Sequence, residues 1–343
     1  MNQETFLDRE GGRATLAQIA QDASVSMSTV SKVLNARTGV SKATRVSVEA
    51  LLVSHGYNRR GSEHSKSTLI ELVFNDIGSI WSLEIIRGVE RVARQNGLSV
   101  ILTESGDRHS PAPDWIKGVL QRQPLGVILV FSDLSDDHKR QLSTRNIPFV
   151  VVDPAGDPAP DVPSIGSANW SGGLLATRHL IELGHRRIGI ITGPEDMLCS
   201  LARLSGYRSA LEAAAIPFDA SLVRTGDFQR DSGVSLGHEL LARPDRPTAI
   251  FAGSDLQAIG LYEAARALDL QVPGDLSVVG YDDLPVAQWV DPALTTVRQP
   301  LVEMAEEATR LVLKLRTDRH TENIRLDLAV SLVERASTAA FTD

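Results

Sequence analysis

The sequence predicts a small all-α head followed by an α/β body of two doubly wound parallel-sheet subdomains. Three observations carry that expectation. Residues 15–57 place their apolar side chains at helical spacing, with no strand-like run among them. From Thr68 onward, short continuous apolar runs alternate with amphipathic stretches, the pattern of parallel strands covered by helices on both faces. VILVFSD at 127–133 is echoed by AIFAGSD at 249–255, as two similar halves would produce. At 343 residues the chain is long enough for two or three real cores.

Taken in order, residues 1–13 read as a polar, disordered tail. In Thr15–Asn35, TLAQIAQDASVSMSTVSKVLN, Leu16, Ile19, Ala20 and Ala23 line one helical face and Val30, Val33 and Leu34 another. Ser24-Val25-Ser26 between them fits a tight turn. Thr15 and Ser26 can each cap the helix that follows by accepting from an unpaired N–H. Two short helices joined this way form a helix-turn-helix, whose second helix enters the DNA major groove. The outer face of that helix carries Met27, Ser28, Thr29, Ser31 and Lys32, with Asn35 at its end and no acid among them. Hydroxyls, an amide and a cation can pair with base edges and phosphates, whereas a carboxylate would repel phosphate. An ordinary helical hairpin with a solvated polar face is the other reading of these features alone.

The head ends near residue 57, and 58–67, NRRGSEHSKS, is a polar linker. Strands are expected at Leu69–Phe74, Ser99–Thr103, Gly126–Phe131 and Phe149–Val152, with helices at Leu83–Gln95, around Trp115–Gln121 and at Asp136–Arg145. The cycle restarts with helix Trp170–Leu183, strand Arg187–Thr192, helix Leu201–Ala215, strand Val223–Thr225 and helix Gly233–Leu241. Strands Ala249–Ala252 and Leu276–Gly280 flank helix Leu256–Leu268. The tail, with Val297–Gln299, helix Leu301–Leu315, strand Ile324–Leu328 and strand Val330–Val333, suits a return to the first subdomain and a crossing back. The first subdomain is then about 68–165 plus 299–328, and the second about 166–298 plus 329–343. A cleft between doubly wound subdomains places ligand at the carboxyl ends of the strands.

Composition narrows the function classes. Charged residues at 23% and hydrophobic residues at 42% describe a globular protein. The net charge of −8 hides an asymmetry: residues 1–60 carry eight Lys and Arg against five acids, a net +3, so the remainder carries −11. A basic head on an acidic body suits a protein whose head alone touches nucleic acid. Cys199 is the only cysteine, so no intrachain disulfide and no cysteine metal cluster is expected. His179 and His185 read as structural, because no second ligand has metal spacing. The N-terminus has no apolar signal core and no apolar run is long enough for a membrane helix, so the expectation is a cytoplasmic protein without a membrane partner. The sequence holds no nucleophile elbow, Walker loop, HExxH or GxGxxG after the first strand, and no cofactor or enzyme activity is expected. Carboxylates at strand ends keep glycosidase chemistry open by residue type.

The segment Ala14–Tyr57 resembles the N-terminal domain of the lactose-repressor (LacI/GalR) family of transcription regulators. The matching features are T-L-x-x-I-A, V-S-x-x-T-V-S-K-V-L-N, V-S-x-x-T-R and a closing G-Y. HLIELGHRRIGIITGP, ARLSGYRSAL, PTAIFAGSD, VPGDLSVVGYDDLP and DPALTTVRQP extend the resemblance along the body, whose fold that family shares with periplasmic sugar-binding proteins. The resemblance implies that Met27 and Ser28 read bases and that Thr29, Ser31, Lys32 and Asn35 contact phosphate or bases. It implies a third helix starting at Val40-Ser41 and Thr44-Arg45, and adds Thr15 to the DNA-facing set. Ser24 stands where the family usually has Gly, so a non-Gly residue has to hold positive φ in the turn. In most of the family the linker folds into a hinge helix whose leucine wedges into the minor groove. Here 58–66 has no leucine or alanine, and Arg59 and Arg60 are the candidates to reach the minor groove or phosphates instead.

By position in these motifs, Arg203 would clamp ligand hydroxyls with its fork of donors, Asp282 would accept from a hydroxyl pair, and Ser254 and Asp255 would lie nearby. Asp153, after FVVVD, would face the cleft from the first subdomain, and Phe228 and Trp81 are candidates to stack on a ring, ahead of Trp170 and Trp289. Asp255 and Asp282 suit helix capping equally well. The resemblance implies a homodimeric repressor on operator DNA, released by a sugar effector. LIELVFNDIGSIWSLEIIRGVE and CSLARLSGYRSAL look like a sub-branch tied to plant-wall sugars. A regulator corepressed by a purine or another small metabolite is the alternative. With no leucine heptad after Thr338, no tail-mediated tetramer is expected.

Overall fold

The computed structural model describes residues 15–34, 39–55, 67–106, 114–130, 134–154, 156, 159, 161–318 and 324–342. Asn35, Arg59, Arg60 and nearly all of the linker lie outside the described residues.

The head contains α1 (Leu16–Asp22), α2 (Met27–Leu34) and α3 (Lys42–Ser54). Thr15 Oγ1 accepts from the Gln18 N–H at 3.3 Å and Ser26 Oγ from the Thr29 N–H at 3.1 Å, so both capping expectations hold. Ser24 sits in the turn at φ 51°, a left-handed conformation that costs a residue with a Cβ about 1 kcal/mol. Ser41 Oγ accepts from the Thr44 N–H at the start of α3. Ile19, Ala20, Val30, Val33, Val48 and Leu52 bury one another and fix the phase of α2, whose polar residues therefore face outward.

The first body sheet holds β1 (Leu69–Phe74), β2 (Ser99–Glu104), β3 (Gly126–Val130), β4 (Phe149–Val152), β5 (Ser164–Ser167) and β11 (Arg325–Leu328), in the order β11-β5-β4-β3-β1-β2 and parallel throughout. Its helices are α4 (Ile80–Gln95), α5 (Asp114–Arg122), α6 (Asp136–Thr144) and α11 (Leu301–Thr317). α4 starts three residues before the expected point because Ser79 Oγ accepts from the Ser82 N–H and supplies the cap. β5 was not expected: SIGS has one apolar side chain and no run to mark it, yet all four residues are buried between β4 and β11.

The second sheet holds β6 (Ile188–Thr192), β7 (Val223–Thr225), β8 (Ala249–Ala252), β9 (Ser277–Asp282), β10 (Thr295–Arg298) and β12 (Ser331–Val333), in the order β12-β10-β9-β8-β6-β7. Only β12 runs antiparallel, against β10. Its helices are α7 (Asn169–Glu182), α8 (Leu198–Ala213), α9 (Arg230–Leu241), which begins three residues before the expected Gly233, and α10 (Asp255–Ala267).

The chain passes between the sheets three times, from β5 into α7, from β10 into α11 and from β11 into β12. The first two crossings are tied together, since Gln299 Nε2 donates to Ser167 Oγ at 3.1 Å. His185 bridges Thr248 and Ser277 at 2.9 and 3.0 Å, and His179 pairs with Thr338; burial lowers both pKa values, which keeps these rings neutral packing groups.

Candidate functional site

Two surfaces carry chemistry. The first is the outer face of α2. Met27 is 57% exposed, Ser28, Ser31 and Lys32 are exposed, and Thr29 is half-buried. Ser28 and Thr29 hydroxyls each lie within hydrogen-bond distance of Ser26 Oγ, at 2.8 and 2.9 Å, which orients them at the helix start. Thr15 is exposed and engaged as a cap. The outer face of α2 thus presents apolar contact and hydroxyls at its N-terminal turn and one cation, Lys32, in its last turn, with no carboxylate, the inventory that base and phosphate recognition needs.

The second surface lies at the carboxyl ends of the two sheets, around Arg203. Arg203 is 5% exposed on α8. It is brought inward because α7 and α8 pack at backbone distance: a Cβ on Gly173 would fall 2.1 Å from the Arg203 carbonyl oxygen. Its Nε donates to Asn169 Oδ1 at 2.8 Å and its Nη1 to the Gly253 carbonyl at 2.6 Å. The guanidinium carbon lies 3.6 Å from the Tyr281 ring centroid and 5.3 Å from that of Phe228. Asp153 directly follows β4 at φ 47° and Asp282 ends β9 at φ 114°; Phe228 holds φ 68°. Three candidate residues in left-handed conformations put backbone strain where a ligand is expected.

Burial pushes the Asp153 carboxyl up and Arg203 pulls it back; burial pushes Asp282 well above the ordinary range, again against Arg203. Cys199, buried beside them, is pushed up to about 12 by burial and then by Asp153, so its thiol stays protonated and unreactive. Asp153 Oδ2, Ser200 Oγ, Tyr281 Oη and Gln299 Oε1 are buried without a hydrogen-bond partner. Two hydroxyl donors and two acceptors in one neighbourhood make a site for a ligand that both gives and takes hydrogen bonds.

Not every expected residue faces this site in the same way. Trp81 is 8% exposed and packs in the first core with Phe74 and Ile85, because it sits four residues before Ile85 on the buried face of α4. It is therefore a core side chain and not an open stacking face. Ser254 caps α10, accepting from the Gln257 N–H at 3.1 Å and donating to the Phe228 carbonyl at 2.7 Å. Asp255 accepts from Thr296 Oγ1 at 2.5 Å and from the Leu284 N–H at 2.7 Å, so its two oxygens tie the start of α10 to β10 and to the segment after β9. Burial raises it to about 7. Sequence reasoning missed Ser167, Ser200, Tyr281 and Gln299, and Asn169 as the partner of Arg203. Gln299 carried a usable signal, a polar residue directly after a strand and before proline.

Residues 15–60 match the family described as bacterial regulatory proteins, lacI family, and residues 177–338 match the periplasmic binding protein-like domain. The HTH-type transcriptional regulator CelR of Thermobifida fusca is 36% identical over 337 residues, covering 95% of this chain and 98% of its own. The chain belongs to the lacI family. Among solved lacI-family structures, the transcriptional regulator CelR–cellobiose complex aligns with a TM-score of 0.71 at 36% identity, over 95% of this chain and 100% of its own. The lac repressor dimer bound to operator and the anti-inducer ONPF aligns with a TM-score of 0.70 at 27% identity, over 96% and 100%. Within this family the architecture is a helix-turn-helix head on a periplasmic-binding-protein-like body, as the sequence implied. Among the described residues no helix is long and apolar enough to cross a membrane, and no cluster of His, Cys, Asp or Glu is set to hold a metal.

Proposed function

We propose that this chain is a homodimeric transcriptional repressor that binds a near-palindromic operator through α2 and is released by a neutral carbohydrate bound between the two body subdomains. The observation that carries this reading is the buried Arg203 site. The Arg203 guanidinium is held by Asn169 and Gly253, and around it stand the Asp153 carboxyl, the Ser200 and Tyr281 hydroxyls and the Gln299 amide with unused hydrogen-bonding capacity. A sugar presents vicinal hydroxyls that donate to Asp153 and Asp282 and accept from Arg203, Ser200 and Tyr281, while Phe228 covers the C–H face. The CelR–cellobiose structure supports a β-linked glucose disaccharide or a related plant-wall saccharide as the effector class.

Asp153 follows β4 of the first subdomain, and Arg203 on α8 and Asp282 on β9 belong to the second. A ligand touching all three favours one relative orientation of the subdomains, and with it one placement of the paired heads. A differential affinity of about 1–3 kcal/mol shifts operator binding by roughly 5–150-fold. Two-fold symmetry, as in the lac repressor dimer on its operator, matches two heads to two half-sites. The protein does no chemistry on its ligand and acts in the cytoplasm.

The test is a thermal-shift screen of cellobiose, xylobiose, glucose, ribose and nucleobases, followed by operator binding with each stabilising compound. Stabilisation by a saccharide, with weaker operator binding and no turnover, is expected. Stabilisation by nucleobases alone, or hydrolysis of the disaccharide, overturns the reading.

A further inference from the structure

The head is held by more than its tether. α3 lies against α6 of the first subdomain. Arg145, which ends α6, reaches across to the head with Nη2 at 3.5 Å from the Val33 carbonyl oxygen, while its Nη1 is anchored on the Gln141 carbonyl at 3.0 Å. Val33 is the penultimate residue of α2, where carbonyls lack partners within the helix and attract a cation. Glu49, on α3, is only 4% exposed, a burial that carboxylates rarely reach without cations nearby. Arg45 faces it from its own helix, and Arg145 and Arg140 face it from α6, with Asp137 opposing them. Burial pushes its carboxyl up and the three arginines draw it back.

The contact leaves the reading surface open, since Met27, Ser28, Ser31 and Lys32 stay exposed while Arg145 and Glu49 are engaged behind them. The tether has the opposite character: 58–67, NRRGSEHSKS, contains no apolar side chain to bury.

We propose that α6 is a docking shelf for the DNA-reading head, with Arg145 reaching the Val33 carbonyl and attracting the buried Glu49 carboxylate, and that this shelf carries movement of the first subdomain to α2. The docking is independent of the function proposed above; its transmission to DNA rests on that reading.

Hydrogen exchange on the full chain, without DNA or saccharide, tests the docking. Amides of 42–54 should exchange about five- to tenfold faster in Arg145→Glu than in wild type, because repulsion from Glu49 frees the head. The swap Glu49→Arg with Arg145→Glu should return them to within about twofold of wild type. Arg145→Gln alters only the body side and keeps the head sequence intact, so it serves if the swap disturbs the head; it should give an intermediate rate. Unchanged exchange in both single variants overturns the shelf, and a swap no slower than Arg145→Glu overturns the Arg145–Glu49 pairing. In operator binding, Arg145→Glu should bind the saccharide as wild type does yet lose most of its effect on operator affinity. A full effector response in that variant overturns the transmission. A wild-type chain that ignores every duplex removes the functional reading and leaves the exchange result standing on its own.

Discussion

Asp255 offers a quantitative check on the second subdomain. The carboxyl is fully buried, accepts from Thr296 Oγ1 and the Leu284 N–H, and has its pKa raised by burial to about 7. In the unfolded chain its pKa returns to about 4. Between those values the folded protein holds a proton that the unfolded chain has released, so stability is greatest at acid pH and falls as pH rises through 7. The full shift corresponds to roughly 4 kcal/mol at 1.36 kcal/mol per unit, and about 2 kcal/mol of it falls between pH 5.5 and 8. Asp255→Asn mimics the protonated form: its amide oxygen keeps the Leu284 N–H and its amide nitrogen turns to Thr296 Oγ1, which then accepts. Urea midpoints followed by circular dichroism should fall for wild type across that range and fall less for the variant. The gap should reach roughly 0.7 M at an m-value of about 3 kcal/mol/M. Asp153 and Asp282 are also raised by burial and add a decline of the same sign, and Asp282 titrates together with Asp255, so the difference reports Asp255 and its interaction with Asp282. Parallel midpoint curves would refute the assignment of a buried, protonated Asp255.

Three further outcomes follow from single contacts. A Cβ on Gly193 would fall 2.0 Å from Phe228 Cζ, so Gly193→Ala should expel that ring and weaken saccharide binding tenfold or more by calorimetry, with a stability loss of about 1–3 kcal/mol. Glu71 is fully buried in β1 and accepts from Arg122 Nε at 3.0 Å and from Thr103 Oγ1, so Arg122→Met should cost about 3 kcal/mol or more in urea unfolding by leaving the buried charge without a cation and with only the Thr103 hydroxyl to donate to it. Ser24→Gly should stabilise the head by about 0.5–1 kcal/mol, because glycine holds φ 51° without strain; slower exchange of the α1 amides would register it.

The alternation of strands and helices was legible because most strands are buried on both faces and read as unbroken apolar runs, GVILV in β3 and AIFA in β8 among them. β5 was not, since SIGS owes its strand state to pairing with β4 and with β11, some 160 residues further on. Asp153, Arg203 and Asp282 could be named because strand ends and the ARLSGY motif mark them. Ser167 and Asn169 could not, because only the crossings bring them to the site; the Gln299–Ser167 bond joins residues 132 apart in sequence. Trp81 shows the converse: an aromatic near a strand end suggests stacking, and only the phase of α4 reveals that it points into the core. Glu71 carried no signal, since its partner Arg122 lies on another element.

The central claim is that occupancy of the Arg203 site sets operator affinity. The most direct measurement is fluorescence anisotropy of a duplex selected from a random pool, titrated with wild type and with Arg203→Gln, each with and without saturating saccharide. The expected result is a roughly 5–150-fold loss of affinity on adding saccharide to wild type, and no change for Arg203→Gln, which should still bind the duplex. Equal affinities for wild type with and without a saccharide shown to occupy the site would contradict the account.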